Sequence, residues 1–196
     1  MGATQEFTST YGRWLTGGAA LAAVIALVSV LAADGVQDAL LLLPVMGLVV
    51  VLVWALFWRP AVEVSDGEVV VRNVLETVRV PWPAYRGVTV KYSLVVHSTG
   101  RDVTAWAAPR SSGTAQRLRR RRPPEGPLGG GRHNANAERV ADAITERQAA
   151  LKGAGYLEDA EAAVAAGVGP RRQWHSVTIA GVLVLAVAAV LALNAG

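Results

Sequence analysis

The sequence predicts an α+β membrane protein with an N-terminal transmembrane helical hairpin, a small antiparallel β domain with a closing helix, and a C-terminal transmembrane helix. Three observations predict this fold class: three long uncharged apolar segments, a valine-rich alternating pattern between the second and the third, and basic residues concentrated in that middle part. Of the 196 residues, 52% are hydrophobic and only 17% are charged, whereas about 25% are charged in soluble domains. The composition therefore argues against an ordinary soluble enzyme and against a disordered chain.

The three apolar segments are residues 14–33, 39–58 and 174–193, all free of Asp, Glu, Lys and Arg. About 20 apolar residues in a helix cross the hydrocarbon layer of a bilayer, and a helix satisfies its own backbone polar groups. Buried core helices are the alternative, but such helices normally carry a polar stripe. A tryptophan lies at one end of each segment, where amphipathic rings prefer the headgroup level. We therefore expect three transmembrane helices.

A cleaved signal peptide is the alternative for the first segment. This segment is long for the apolar part of a signal peptide, and Arg13 is the only basic residue before it. A second span follows almost at once, so the first 58 residues predict a helical hairpin with residues 34–38 as its polar turn. Small residues such as Gly18 and Ala22 either line a close contact between the helices or reflect compositional bias.

Basic residues are unevenly distributed along the chain. Of the 19 Lys and Arg residues, only Arg13 precedes the first span, and all the others lie between Arg59 and Arg172. This middle segment has a net charge of +6, whereas the hairpin turn has two acidic residues and no basic one. By the positive-inside rule, we expect a multi-pass protein of the cell (cytoplasmic) membrane, with its β domain in the cytoplasm and its C-terminus outside.

The β domain is predicted over residues 59–108 by alternation of valine with polar residues. Asp66-Gly67 is a strong hairpin signal between two such runs. Pro81 and Pro83 interrupt the sheet, because proline cannot donate to a central ladder. The predicted strands are 62–65, 68–74, 77–80, 87–92, 93–97 and 102–107. Their order predicts an antiparallel meander and not an α/β enzyme core.

Residues 109–136 predict a basic linker rich in Pro and Gly, which we expect to be disordered or mobile because it lacks an apolar period. Residues 137–170 predict cytoplasmic helices. Asn136 is a suitable cap for the first helix, and its apolar residues Val140, Ile144 and Leu151 fall on one face. A second, shorter helix is expected over residues 157–166.

The middle of the chain resembles a known family over about 50 residues and the preceding hairpin. The residues that carry the resemblance are Arg59-Pro60, Val62, Asp66-Gly67, Val69, Val71, Arg72-Asn73, residues 77–82, Gly87-Val88, Gly100 and Trp106-Ala107. They resemble the bacterial pleckstrin-homology-like (PH) domain of small actinobacterial membrane proteins. The resemblance implies a small, strongly bent antiparallel sheet closed at one end by a helix, for which the helix after Asn136 is the candidate. The family pattern usually lacks a long basic linker and a third span, so the resemblance does not extend to the last third of the chain.

Related domains that bind phosphoinositides hold the phosphates with several Lys and Arg residues around the first hairpin loop. In this chain that loop is Ser65-Asp66-Gly67-Glu68, and its carboxylates would repel a phosphate. We therefore expect no specific phosphoinositide site.

The strongest local charge feature is a run of arginines in the linker. Three interpretations remain open: contact with anionic lipid headgroups, a solvated signal that keeps the loop inside, and contact with nucleic acid. Nucleic acid is the weakest of these, because no aromatic residues are interleaved with the run. The candidate residues for anionic-lipid contact are Arg117, Arg119, Arg120, Arg121, Arg122, Arg171 and Arg172.

Nothing in the sequence predicts catalysis. The chain has no cysteine, its three histidines (His97, His133 and His175) lack the spacing of metal ligands, and the common nucleophile and phosphate-binding motifs are missing. We expect no catalytic, cofactor-binding or metal site. Trp82 and Trp106 either line a ligand groove or pack in the core, and general burial statistics favour the core.

The sequence is compatible with two functions. The favoured one is a non-enzymatic interaction module that binds or scaffolds an unidentified protein partner at the membrane, by strand addition to the sheet or through a groove. The alternative is a structural or accessory subunit of a larger membrane complex that associates through its spans. The absence of charged residues inside the spans argues against an ion or proton path.

Overall fold

A computed structural model describes residues 2–109, 131–134 and 136–195. The chain divides into two units, which are Met1–Ser9 with Pro60–Gln173 (the soluble unit) and Thr10–Arg59 with Trp174–Gly196 (the helical unit). The elements in chain order are β1 (Gln5–Thr8), α1 (Thr10–Ala33), α2 (Val36–Val53), a π-helical turn (Trp54–Trp58), β2 (Ala61–Val64), β3 (Glu68–Arg72), β4 (Glu76–Pro81), a 3-10 turn (Trp82–Ala84), β5 (Tyr85–Val90), β6 (Ser93–Ser98), β7 (Arg101–Pro109), β8 (Gly131–Asn134), α3 (Ala137–Gly153), α4 (Ala160–Ala165), β9 (Arg171–Trp174) and α5 (Ser176–Ala195).

The helical unit contains three helices that are long and apolar enough to cross a membrane, with mean hydropathies of 2.3, 2.8 and 2.7. The prediction of three long apolar helices is therefore confirmed. The turn between α1 and α2 is shorter than the predicted residues 34–38, because α2 already begins at Val36. Gly35 at the turn has φ 94°, a conformation that glycine adopts without steric cost.

Helix α2 packs against both α1 and α5. Gly12 of α1 packs closely against the end of the second span, because a Cβ atom on Gly12 would clash with the carbonyl oxygen of Phe57. By contrast, a Cβ atom on Gly17 or Gly18 would meet nothing within 4 Å. Of the two interpretations of Gly18, compositional bias is therefore the better one, and Gly12 is the glycine that the packing requires.

In the soluble unit, the larger sheet has the strand order β8-β1-β2-β3-β4-β9. Strands β1 to β4 are antiparallel neighbours, and the predicted hairpin at Asp66-Gly67 joins β2 to β3 with Val64 opposite Val69. The alternation predicted from the sequence is reproduced, since the inward valines are fully buried. These residues are Val62, Val64, Val69, Val71, Val78 and Val80.

Three short strands of this sheet were not predicted. Strand β1 lies before the first span and pairs with β2, while β8 pairs with β1 in parallel and β9 lies beside β4. The expectation of a structureless linker over residues 109–136 is wrong at both ends, because Pro109 ends β7 and residues 131–134 form β8. Residues 110–130 and 135 lie outside the described part of the chain. Four-residue edge strands with polar sequences such as Arg-Arg-Gln-Trp in β9 carry too few alternations to be recognised.

The chain changes sheet at Pro81-Trp82-Pro83, as the two prolines predict. The 3-10 turn at this point leads into the smaller antiparallel sheet β5-β6-β7. Trp82 is only 3% exposed, and its indole N–H donates to the carbonyl oxygen of Ser65 at 2.9 Å. Its ring meets Tyr85 edge-on, with the ring centroids 5.4 Å apart. Core packing is therefore confirmed for Trp82.

The expected core position is wrong for Trp106, which is 57% exposed. Along β7 the buried residues are Val103, Ala105 and Ala107. Because successive side chains of a strand point to opposite faces, Trp106 lies on the outer face.

Helix α3 closes the core of the soluble unit. The Asn136 side chain accepts hydrogen bonds from the backbone N–H groups of Glu138 (2.9 Å) and Arg139 (3.5 Å), which confirms the predicted cap. The predicted apolar face is buried in one cluster with the valines of both sheets. Helix α4 is shorter than expected and packs near the 3-10 turn.

The packing of α3 predicts a large effect of truncating Ile144, which is fully buried. The Ile144→Ala variant should lose about 2–5 kcal/mol of unfolding free energy, because a cavity remains where the side chain was. Urea unfolding of the full chain in detergent, followed by near-ultraviolet circular dichroism, measures this loss. The exposed neighbour variant Glu146→Ala should unfold like the wild type. Equal midpoints for the two variants would contradict the packing of α3.

Candidate functional site

Four residues that pair across β1 to β4 mark the end of the larger sheet at which the chain enters and leaves the helical unit. Thr8 lies opposite Ala61, Ala61 opposite Arg72, and Arg72 opposite Thr77. Helix α1 begins two residues after Thr8, and the second span ends three residues before Ala61. We call Thr8, Ala61, Arg72 and Thr77 the junction row.

The cations at this end of the sheet are paired with carboxylates. Arg72 contacts Glu63 at 2.7 Å and Glu6 at 3.6 Å. Glu76 forms ion pairs with two arginines, with Arg101 at 3.6 Å from one carboxylate oxygen and with Arg172 at the other. Such partly exposed pairs contribute little to stability individually, but they balance the charge of the junction end.

The residues predicted to contact anionic lipid fall into two groups. Arg171 and Arg172 lie in β9 with exposed side chains, and Arg172 is paired with Glu76 as described. Arg117 and Arg119–Arg122 lie outside the described residues. The proposed role of all seven in lipid binding stays a prediction.

The loop between β2 and β3 forms hydrogen bonds with the N-terminal segment of the chain and with α3. This contact was not predicted from the sequence. The Arg147 guanidinium donates to Asp66 and also to the carbonyl oxygens of Gly2 (3.0 Å) and Ala3 (2.9 Å). The backbone N–H of Gly2 donates to Asp66 at 3.1 Å. The Arg147 hydrogen bond is the main reason why the pKa of the Asp66 carboxyl lies below its ordinary value. No sequence pattern pointed to this contact, because its partners are far apart in the chain.

The outer face of the smaller sheet carries a hydrogen-bonded array across three strands. His97 Nδ1 lies 2.9 Å from an Asp102 carboxylate oxygen, and His97 Nε2 lies 2.9 Å from the Thr89 hydroxyl. The order of acid, imidazole and hydroxyl is that of a nucleophilic triad. However, Thr89 and Asp102 are exposed, and a nucleophile is activated best where water is excluded. The array therefore fits a polar cross-strand ladder better than a catalytic centre.

The loop between β3 and β4 is fastened to β7 by one side chain. The Asn73 amide donates to the carbonyl oxygen of Thr104 at 2.8 Å and accepts from the backbone N–H of Trp106 at 2.9 Å. The Asn73 side chain thus donates one hydrogen bond to the backbone of β7 and accepts one from it, as the backbone of a neighbouring strand would do. Leu75 in this loop and Trp106 beside it are both exposed large apolar residues, at 49% and 57%.

Strand β5 forms one edge of the smaller sheet among the described strands. It has six residues, compared with four in each of β8 and β9 at the edges of the larger sheet. Arg86 and Thr89 are exposed, while Val88 and Val90 pack against the core. At this edge of the smaller sheet, β5 therefore presents backbone hydrogen-bonding groups together with exposed polar side chains.

Within the described residues, no group of three or more His, Asp or Glu side chains is arranged to hold a metal ion. Comparisons of the chain with protein-family models, with curated proteins and with solved structures found no match.

The Asp66 contacts predict a local response to acid. Because the pKa of Asp66 is lowered in the folded state from an ordinary value of 3.8, its stabilising effect is complete above that value and is lost as the pH falls through the lower folded-state pKa. Hydrogen exchange of the full chain should show β1 and the loop at Asp66 opening more often at pH 3 than at pH 5.

The Asp66→Asn variant should show weak protection in this region at both pH values. Asp159→Asn is the matched control, because Asp159 is exposed and makes no capping hydrogen bond. A wild-type pH response in Asp66→Asn would show that another group controls the opening.

Proposed function

We propose that this chain is an integral protein of the cytoplasmic membrane that presents a PH-like interaction module on the cytoplasmic face and acts by non-enzymatic binding or scaffolding. The observation that carries the proposal is the path of the chain. The two apolar helices of the hairpin are inserted between the paired strands β1 and β2, and β9 runs into α5. The connections are Ser9, Arg59-Pro60 and His175, so three short segments tie the module to the candidate spans.

The PH-like assignment is supported by the form of the soluble unit. Two antiparallel arrays, β1 to β4 and β5 to β7, follow each other through the turn at Trp82–Ala84, and α3 packs its apolar face into the shared core. A bent antiparallel sheet closed by a helix is what the sequence resemblance implies. The chain departs from that pattern in the inserted hairpin, in the parallel strand β8 and in β9.

The cytoplasmic orientation is supported by charge. The segment between the second and third spans carries the excess of Lys and Arg, whereas the turn between α1 and α2 carries Asp34 and no basic residue. Basic loops are retained on the cytoplasmic side. Arginines of this segment, including Arg171, would add about 1 kcal/mol each of attraction to anionic lipid where they lie near the surface.

We assign partner binding to the edge of β5. A partner strand that pairs with this edge gains backbone hydrogen bonds, and its side chains meet those exposed on the outer face. Thr89, His97 and Asp102 supply hydrogen-bonding groups on that face. The partner is a protein with an extended segment, and binding at β5 requires neither a cofactor nor chemistry.

Photocrosslinking in cells tests this assignment. A photoreactive residue at Arg86 or Thr89 should capture one defined partner, whereas the same residue at Glu161, which is exposed on α4, should not. Positions Val184 and Leu191, exposed on α5, test the alternative of a subunit that associates through its spans. Capture from the α5 positions alone would overturn the proposal in favour of that alternative.

A further inference from the structure

We propose that Leu75 and Trp106 form a contact surface that lies in the lipid headgroup layer of the membrane. This inference rests on the membrane anchoring proposed above, and it is independent of the partner site at β5. The occupant of the surface is the bilayer itself, and no protein partner is required.

The connections between the larger sheet and the spans are short. Consecutive Cα atoms are about 3.8 Å apart, so Thr8 and Ala61 lie within about 8 Å and 12 Å of the span residues Thr10 and Trp58. The headgroup layer is about 5–8 Å thick on each side of the hydrocarbon. The junction row is therefore held close to this layer by two connections at once.

The loop between β3 and β4 lies at the same end of the sheet as the junction row. The loop between β3 and β4 leaves the sheet directly after Arg72, a member of the junction row, and returns at Glu76 next to Thr77. It therefore projects from the same end of the sheet at which the chain enters and leaves the spans. The Asn73 amide holds β7 to this loop, so Trp106 lies at the same end.

The exposed side chains of Leu75 and Trp106 are apolar and aromatic. Indole rings prefer the headgroup level because they combine an apolar body with a polar N–H, and a leucine beside them gains free energy on leaving water. Arg72, Arg101 and Arg172 at this end are already paired with Glu63 and Glu76. The contact is therefore apolar and aromatic in character, and we expect it to depend only weakly on salt.

The absence of cysteine from the chain makes a direct test possible. Single variants Leu75→Cys and Trp106→Cys, labelled with an environment-sensitive fluorophore, are reconstituted as full chains in vesicles of phosphatidylcholine and phosphatidylglycerol. Nitroxide lipids labelled near the headgroup should quench most of the emission at both positions, and the quenching should change little between low and high salt.

Gly67→Cys is the matched control. Gly67 is an exposed turn residue where a Cβ atom would meet nothing within 4 Å, and it lies at the other end of β3 from Arg72 and the loop that contains Leu75. The five residues of β3 separate these two ends by about 16 Å. The label at position 67 should therefore escape quenching by the same lipids.

A label at Val184→Cys, in the middle of α5, separates failure of this inference from failure of the anchoring. Deep nitroxide lipids should quench it if α5 spans the bilayer. Quenching at Val184 without quenching at Leu75 and Trp106 would overturn the inference and leave the anchoring intact. A blue-shifted but unquenched label at Leu75 would also overturn it, because the occupant would then be protein. Equal quenching at Gly67 and Leu75 would overturn it too.

Discussion

The pairing of β1 with β2 is the interaction on which the rest of the architecture depends. Four residues before the first span, Gln5–Thr8, align with four residues after the second, Ala61–Val64. This ladder makes the helical hairpin an insertion within the sheet and gives the soluble unit two of its three connections to the candidate spans. The same strand receives β8 on its other side. Without β1, the junction row would lose Thr8, and residues 131–134 would lose the strand with which they pair.

The ends of the larger sheet are stabilised in different ways. At the loop between β2 and β3, one guanidinium satisfies Asp66 and two backbone carbonyls of the N-terminal segment. At the junction end, the Asn73 side chain forms hydrogen bonds with backbone groups of β7, in place of a paired strand. Ion pairs with glutamates neutralise the charges of Arg72 and Arg172. The end at Asp66 is held by hydrogen bonds between segments of the soluble unit. The junction end leaves the side chains of Leu75 and Trp106 exposed.

The sequence was sufficient for features with a strong local signal. The three apolar helices, the hairpin at Asp66-Gly67, the interruption at Pro81 and the cap at Asn136 each follow from composition, period or capping chemistry. It was not sufficient for β1, β8 and β9, because four residues with mixed polarity carry no period. The side-chain contacts of Arg147 and Asn73 join distant parts of the chain, so local patterns could not predict them.

The parallel pairing of β1 with β8 has a consequence for biosynthesis. Ribosomes add about 5–20 residues per second, so β1 waits roughly 6–25 s for residues 131–134 to be made. Its antiparallel partner β2 emerges only after both hairpin helices. The soluble unit therefore cannot complete its larger sheet until the hairpin has been synthesised, and membrane insertion has time to precede folding. An insertion defect would leave β1 as an unpaired strand, open to pairing with other chains.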